Sequence, residues 1–122
     1  ARTPTVYRGW HQEDHWAVRY EGDWRDRQDL LATFGKVREA DAPGSRQAFT
    51  FHGRDLDLLA LRGPSEGKVR VWVDGKSQDV DLYAPVPDLA HIPLARRLPL
   101  ADHRLAAEVL EGPVAVDGFL VR

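Results

Sequence analysis

The feature that most constrains this chain is a repeated alternation of apolar and polar residues in short runs, each stopped by a turn signal. From Arg46 onward the runs are "RQAFTF", "RDLDLLAL", "KVRVWVD", "KSQDVDLY", "HRLAAEVL" and "PVAVDGFLVR". They are broken about every 8–12 residues by pairs such as "HG", "RGP", "DG", "AP" and "EGP", the spacing of strands in an all-β domain. No Gly- and Pro-free segment longer than about ten residues keeps a 3.6-residue apolar period, so long helices are excluded. The expected exceptions are one or two helical turns in "RQDLLATFGKV" (27–37) and an irregular crossing loop in "LAHIPLARRLPL" (89–100). Alternation predicts inward side chains at Phe49 and Phe51, at Leu56, Leu58 and Ala60, at Leu105, Ala107 and Val109, and at Val114 and Val116.

The run "KVRVWVDGKSQDVDLY" fixes its own register. A two-residue turn at Asp74-Gly75 suits a type I′ hairpin, because both residue types tolerate positive φ. Val73 then pairs with Lys76, Trp72 with Ser77, Val71 with Gln78, Arg70 with Asp79, Val69 with Val80 and Lys68 with Asp81. One face carries Val69, Val71, Val73, Val80 and Leu82, and the other Trp72 with two opposite-charge pairs. The valine face is expected to pack against a second sheet bearing Phe49 or Phe51. Trp72 on the charged face implies that this face meets something.

Composition narrows the function classes. At 122 residues the chain suits one domain, with a net charge of −2 and both signs mixed along its length. No field that would hold DNA or RNA is expected. No apolar run reaches membrane-spanning length, and no leader-like segment opens the chain. Cysteine is absent, so thiol nucleophiles, thiolate metal sites and disulfides are excluded. Asparagine and methionine are absent as well, which excludes Asn-linked glycans and suggests a processed product or an excised piece of a longer protein. Arginine outnumbers lysine fourteen to three, a bias fitting either a heat-tolerant source or GC-rich coding.

Five segments in order, "YEGDW" (20–24), "GSRQAFTFHGRDLDLL" (44–59), "GKVRVWVDG" (67–75), "LPLADHRLAAEVLEG" (98–112) and "VAVDGFLV" (114–121), resemble the galactose-binding-like jelly roll. That family provides accessory, often carbohydrate-binding, modules beside secreted or cell-surface hydrolases. The resemblance implies an antiparallel β-sandwich over residues 18–122, with 1–17 as an atypical N-terminal segment of the same single domain. It carries over Gly53 and Gly75 as turn glycines, His103 as the histidine opening the penultimate strand and Asp117 as the acid of the last strand. It also implies an extracellular or cell-surface setting and a carbohydrate or polysaccharide partner.

Sugar sites on β-sandwiches combine a flat aromatic face with hydrogen-bonding side chains. Trp72, Arg70, Asp79, Asp81 and Tyr83 form one such candidate set, against a solvated face in which Arg70 or Lys68 covers Trp72. Trp10 and Trp16, flanked by His11 and His15, form a second, and Trp24 is expected in the core. "HQEDH" (11–15) fails the zinc-protease pattern because glutamate takes the third place, and no metal site is assigned. "RDLD" and "DVD" offer oxygens to a structural calcium, although their alternation marks them as solvent-facing carboxylates. No serine sits in G-x-S-x-G. A set such as Ser45, His52 and Asp55 can be drawn without any motif behind it. The expectation is a non-catalytic module that binds carbohydrate or another cell-surface polymer for a larger extracellular protein. Its alternative is a structural or docking domain that uses the aromatic opening and the proline-rich loop against a neighbouring domain.

Overall fold

The computed structural model describes residues 5–13 and 15–122 and contains strands but no helix among them. In chain order the strands are β1 (Thr5–Val6), β2 (Gly9–Gln12), β3 (Arg19–Glu21), β4 (Trp24–Gln28), β5 (Lys36–Ala40), β6 (Arg46–Gly53), β7 (Leu56–Arg62), β8 (Lys68–Val73), β9 (Lys76–Asp81), β10 (Asp88–Ala95), β11 (Ala101–Glu111) and β12 (Val114–Val121). They form two sheets. The first runs β1-β6-β11-β8-β9, with β3 also on β6, and the second β10-β7-β12-β5-β4, with β2 also on β12. All strand pairs are antiparallel except β1 with β6 among the described residues. From β5 to β12 the chain changes sheet at every connection but the β8–β9 hairpin, as a jelly-roll sandwich requires.

The β8–β9 hairpin has the register that the sequence predicts, from Val73 opposite Lys76 to Lys68 opposite Asp81. Asp74 and Gly75 hold φ of 50° and 84°, the left-handed pair that a type I′ turn needs. The valine face is buried. Its packing partner differs from expectation: Phe49 and Phe51 lie on β6, in the same sheet as the valines. The turn after Gly53 sends β7 across to the other sheet, so Leu56, Leu58, Ala60 and Phe119 form the opposing layer. The two sheets meet where the Phe49 and Phe119 rings stand edge to face, 4.4 Å between centroids.

Two further expectations are corrected. Residues 29–35 form successive turns rather than a helix, because the Asp29 carboxylate captures the Leu31 amide at 2.9 Å and competes with helical bonding. Gly35, at φ 75°, closes the segment with its amide on Ala32 O. These turns lie over the outer face of the second sheet, where Ala32 packs with Val37, Leu61 and Ala115. Both faces of β7 and β12 are therefore buried. The supposed crossing loop contains an edge strand, β10, paired to β7. Pro93 is accommodated there because, among the described residues, β10 has no neighbour on its far side and the register shifts between Pro93 and Ala95.

The N-terminal segment supplies a strand to each sheet. β1 and β3 lie end to end along one edge of β6, and β2 continues beyond β5 along one edge of β12. Trp24 is half-buried against the core, as expected, and its indole N–H faces the carbonyls of Glu21 and Arg46 at 2.9 and 3.0 Å.

Candidate functional site

The outer face of the first sheet is built from alternate residues of its strands. Glu21 on β3, Arg46 on β6, Glu108 on β11, Arg70 on β8 and Asp79 on β9 fall in one row across five strands. Charges alternate along it. Arg46 Nε donates to Glu108 at 3.0 Å, and Arg70 grips Asp79 through two bonds of 2.7 and 3.1 Å. The Arg70 hydrogen bond holds the Asp79 carboxyl below its usual range. The neighbouring row reads Arg19, Ala48, Ala106, Trp72 and Ser77. Here two alanines leave a trough between larger walls.

That trough, of about 320 Å³, is lined by Ala17, Arg19, Ala48, Thr50, Arg104 and Ala106 together with the backbone side of Phe49 and Leu105. A second, shallow depression around Arg70, Trp72, Ser77, Gln78 and Asp79 lies beside it, since Trp72 sits directly opposite Ala106. The Arg46 guanidinium lies over the Trp72 ring, 6.0 Å from its centre, as a cation–π partner on one face of the half-exposed indole. The structure thus brings Trp72, Arg70 and Asp79 together. Tyr83 is not with them: it is six residues beyond Ser77, about 20 Å along an extended chain, exposed and bridged to Gly63.

Of the second candidate pair, Trp10 lies on the other sheet and Trp16 in the turn that leads from β2 to β3. Trp10 on β2 packs against Phe34 at 5.3 Å, and His11, Gln12 and His15 complete a shallow surface depression there. Trp16 is exposed and stacks on His15 at 5.8 Å. His11 and His15 meet edge to face at 4.9 Å, but His11 Nε2 contacts Tyr7 O and His15 Nδ1 accepts the Ala17 amide. No group of three metal-ligating side chains occurs among the described residues. Asp14 of "HQEDH" lies outside them.

The carboxylates considered for calcium are engaged by nitrogen donors. Asp57 is buried between Arg96 and Arg122, Asp55 accepts the Arg97 amide, Asp79 binds Arg70, and Asp81 accepts the Tyr83 amide. Ser45 and His52, seven residues apart on one extended segment, are separated by about 23 Å, and His52 bonds Asp102 instead. The Glu66 carboxyl is raised to about 7 by burial and then by Glu39, against the pull of Arg27.

His103, placed by the resemblance at the start of the penultimate strand, locks the hairpin turn to β11. Its Nδ1 meets Asp74 at 2.5 Å and its Nε2 meets Pro99 O at 2.7 Å, while the second Asp74 oxygen accepts the Arg104 amide at 2.8 Å. Burial pushes the imidazole down, but the Pro99 carbonyl and the Asp74 carboxylate outweigh it and the group ends above 6.5. Burial raises Asp74, yet the Arg104 amide and His103 bring it below 3.8. The histidine contribution is therefore complete below about pH 6.5 and fades as pH rises through its raised folded value. The Asp74 contribution is present above its ordinary value and fades as pH falls through its depressed one. Asp74→Asn keeps a turn-compatible residue and removes the charge. With Asp74 partly solvated, the expected loss is about 1 kcal/mol near pH 5 and less near pH 9, read from urea midpoints. An equal loss at both pH values would contradict a charged pair.

The residues that the sequence reading missed are Arg19, Ala48, Arg104 and Ala106. Alternation in "HRLAAEVL" already puts Arg104 and Ala106 outward, but only the strand order shows that Ala48 and Arg19 lie beside them.

No protein-family model matches this chain, and no curated protein matches it. Similar solved structures include a two-domain esterase active on acetylated mannans, with a TM-score of 0.71 and 13% identity over 90% of this chain and 34% of that one. A family two carbohydrate esterase from Cellvibrio japonicus has a TM-score of 0.69 and 13% identity over 88% and 31% of the two chains. An exo-beta-1,3-galactanase from Phanerochaete chrysosporium has a TM-score of 0.67 and 15% identity over 94% and 29%. This chain spans about a third of each. What they share with it is the all-β sandwich fold, present in each as one part of a larger carbohydrate-processing protein.

Proposed function

We propose that this chain is a non-catalytic accessory module that binds a polysaccharide on behalf of a larger extracellular protein. The observation that carries the reading is the open row from Trp72 across Ala106 and Ala48, an aromatic face beside a small-residue floor with polar groups on both sides. A sugar ring stacked on Trp72 leaves its neighbours free to extend along the trough, with Ser77, Gln78 and the Arg70–Asp79 pair within the same depression. Such a shallow face buries little of each sugar, so single-site affinity is weak, and attachment to a parent protein supplies effective concentration. The similar solved structures support this reading, since they include an esterase active on acetylated mannans and an exo-beta-1,3-galactanase.

The test is affinity electrophoresis of the domain through gels containing mannan, galactan, xylan or acidic polysaccharides. Trp72→Ala is expected to weaken retardation about tenfold, roughly 1.4 kcal/mol, with an unchanged folded spectrum. Changing Trp10 and Trp16 together to alanine is expected to leave retardation intact. Loss only in the double variant would move the site to the N-terminal aromatics. Absence of retardation by every polymer would favour a docking domain, a reading supported by the exposed Val86 and Leu100 in the proline-rich stretch.

A further inference from the structure

The trough is asymmetric in charge, and this bears on which polymer it takes. Four arginines stand on the outer face of the first sheet. Arg46 and Arg70 are each bonded to an acid of the same face, Glu108 and Asp79. Arg19 and Arg104, both exposed, make no side-chain hydrogen bond or ion pair among the described residues, and both line the trough. The remaining acids of this face lie outside it. Asp102 is bonded to His52, Asp81 is paired in register with Lys68, and Glu21 stands opposite Arg46.

Register fixes how the two free guanidiniums are related. Arg19 pairs with Ala48 and Arg104 with Thr50, so β6 separates them. They are two strand spacings apart across the sheet and two residues apart along it, about 12 Å between Cα atoms. Their side chains border the same Ala48, Thr50 and Ala106 floor from opposite sides. Thr50, opposite Arg104, is the polar residue of that floor. Guanidinium groups are planar forks suited to bidentate bonds with carboxylates. Two of them beside a small-residue floor, Arg19 in the row of the half-exposed Trp72 and Arg104 in the next, form a receptor for a sugar that bears a carboxylate.

Resting on the carbohydrate reading above, we propose that the trough selects acidic polysaccharides, with Arg19 and Arg104 gripping uronate carboxylates while Trp72 stacks an adjoining ring. The chain as a whole is slightly acidic, at −2, so selection operates by local contact rather than by a long-range field. Screening at these exposed sites weakens the grip as salt rises.

The experiment measures retardation of the domain by polygalacturonate, alginate and a glucuronoxylan, each compared with its carboxyl-reduced form, and by polyphosphate as a polyanion without sugar rings. The wild-type domain is expected to bind at least one acidic polymer ten or more times more tightly than the reduced form, and polyphosphate weakly. Arg19→Gln and Arg104→Gln each keep a long polar side chain and leave the Arg104 amide bond to Asp74 in place. Each is expected to lose several-fold affinity for the acidic form only, and the double variant to bind both forms alike. Equal binding of acidic and reduced polymers by the wild type would overturn the carboxylate assignment and leave the carbohydrate reading standing. Binding of polyphosphate as tight as that of the uronates would overturn it as nonspecific charge. No binding to any sugar polymer, acidic or neutral, would overturn both.

Discussion

Phe119→Ala is expected to cost about 3–5 kcal/mol, among the largest losses available to a single substitution in this core. Phe119 is fully buried, one of the largest side chains for which that is so, and its ring meets Phe49 of the opposite sheet edge to face at 4.4 Å. It lies on β12, the central strand of its sheet, with β7 on one side and β2 on the other at that level. Removing the ring takes away apolar burial and the aromatic pair together, and β7, held by β10 on its far side, keeps the void from closing fully. A domain of this size is stable by roughly 5–15 kcal/mol, so the variant sits near the edge of folding. Urea unfolding followed by tryptophan fluorescence measures the loss, and Phe119→Leu, with an expected cost about half as large, supplies a folded comparison. A loss under about 1 kcal/mol for Phe119→Ala would mean that the two sheets do not interlock through this ring.

Much of the fold was legible because alternation and turn chemistry act locally. The β8–β9 hairpin carries its own register in Asp74-Gly75 and in the charge pairs that follow from it. The inward sets Phe49 and Phe51, Leu105 to Val109, and Val114 and Val116 follow from period two alone. Sheet membership was not legible. Which strand lies beside β8 depends on how loops of a few residues direct the chain, and the period is the same whether Phe49 faces the valines or lies beside them. The bulge at Asp117 shows a second limit. Inward positions on β12 change from Val114 and Val116 to Phe119 and Val121 because one extra residue enters the strand between Val116 and Gly118. Asp117 at that step is buried and accepts both the Thr33 amide and its hydroxyl, so the acid of the last strand pins the 29–35 turns rather than facing a ligand.

The candidate site was half-legible for the same reason. Trp72, Arg70 and Asp79 belong to one hairpin, and their shared face could be read from spacing. Arg19, Ala48 and Ala106 come from three other strands, and only the order β3-β6-β11-β8 lines them up with Trp72. Tyr83 was grouped with Trp72 by parity, but parity fixes a face and not a distance along it. No helix of the described residues is long and apolar enough to cross a membrane.

Gly118→Ala is the second large expected effect, about 2–3 kcal/mol, and it separates the two aromatic surfaces. A Cβ at this position would lie 2.3 Å from the His11 carbonyl oxygen and 3.1 Å from the Trp10 ring. The first contact is with backbone, which cannot rotate away as a side chain would. Gly118 pairs with Gln12 on β2 and with Leu59 on β7, and β7 is held in the sheet by β10 on its far side. The short β2 has no second neighbour among the described residues and must therefore yield, carrying Trp10 away from Phe34. Hydrogen exchange of amides from Trp10 to Gln12 is expected to accelerate strongly, while that of β8 and β11 stays slow. Polysaccharide retardation at a temperature where the variant remains folded is expected to equal that of the wild type, because the Trp72 trough lies on the other sheet. Unchanged protection of β2 would show that the strand tolerates the added methyl. Loss of retardation together with β2 would mean that the N-terminal aromatics, rather than Trp72, meet the polymer.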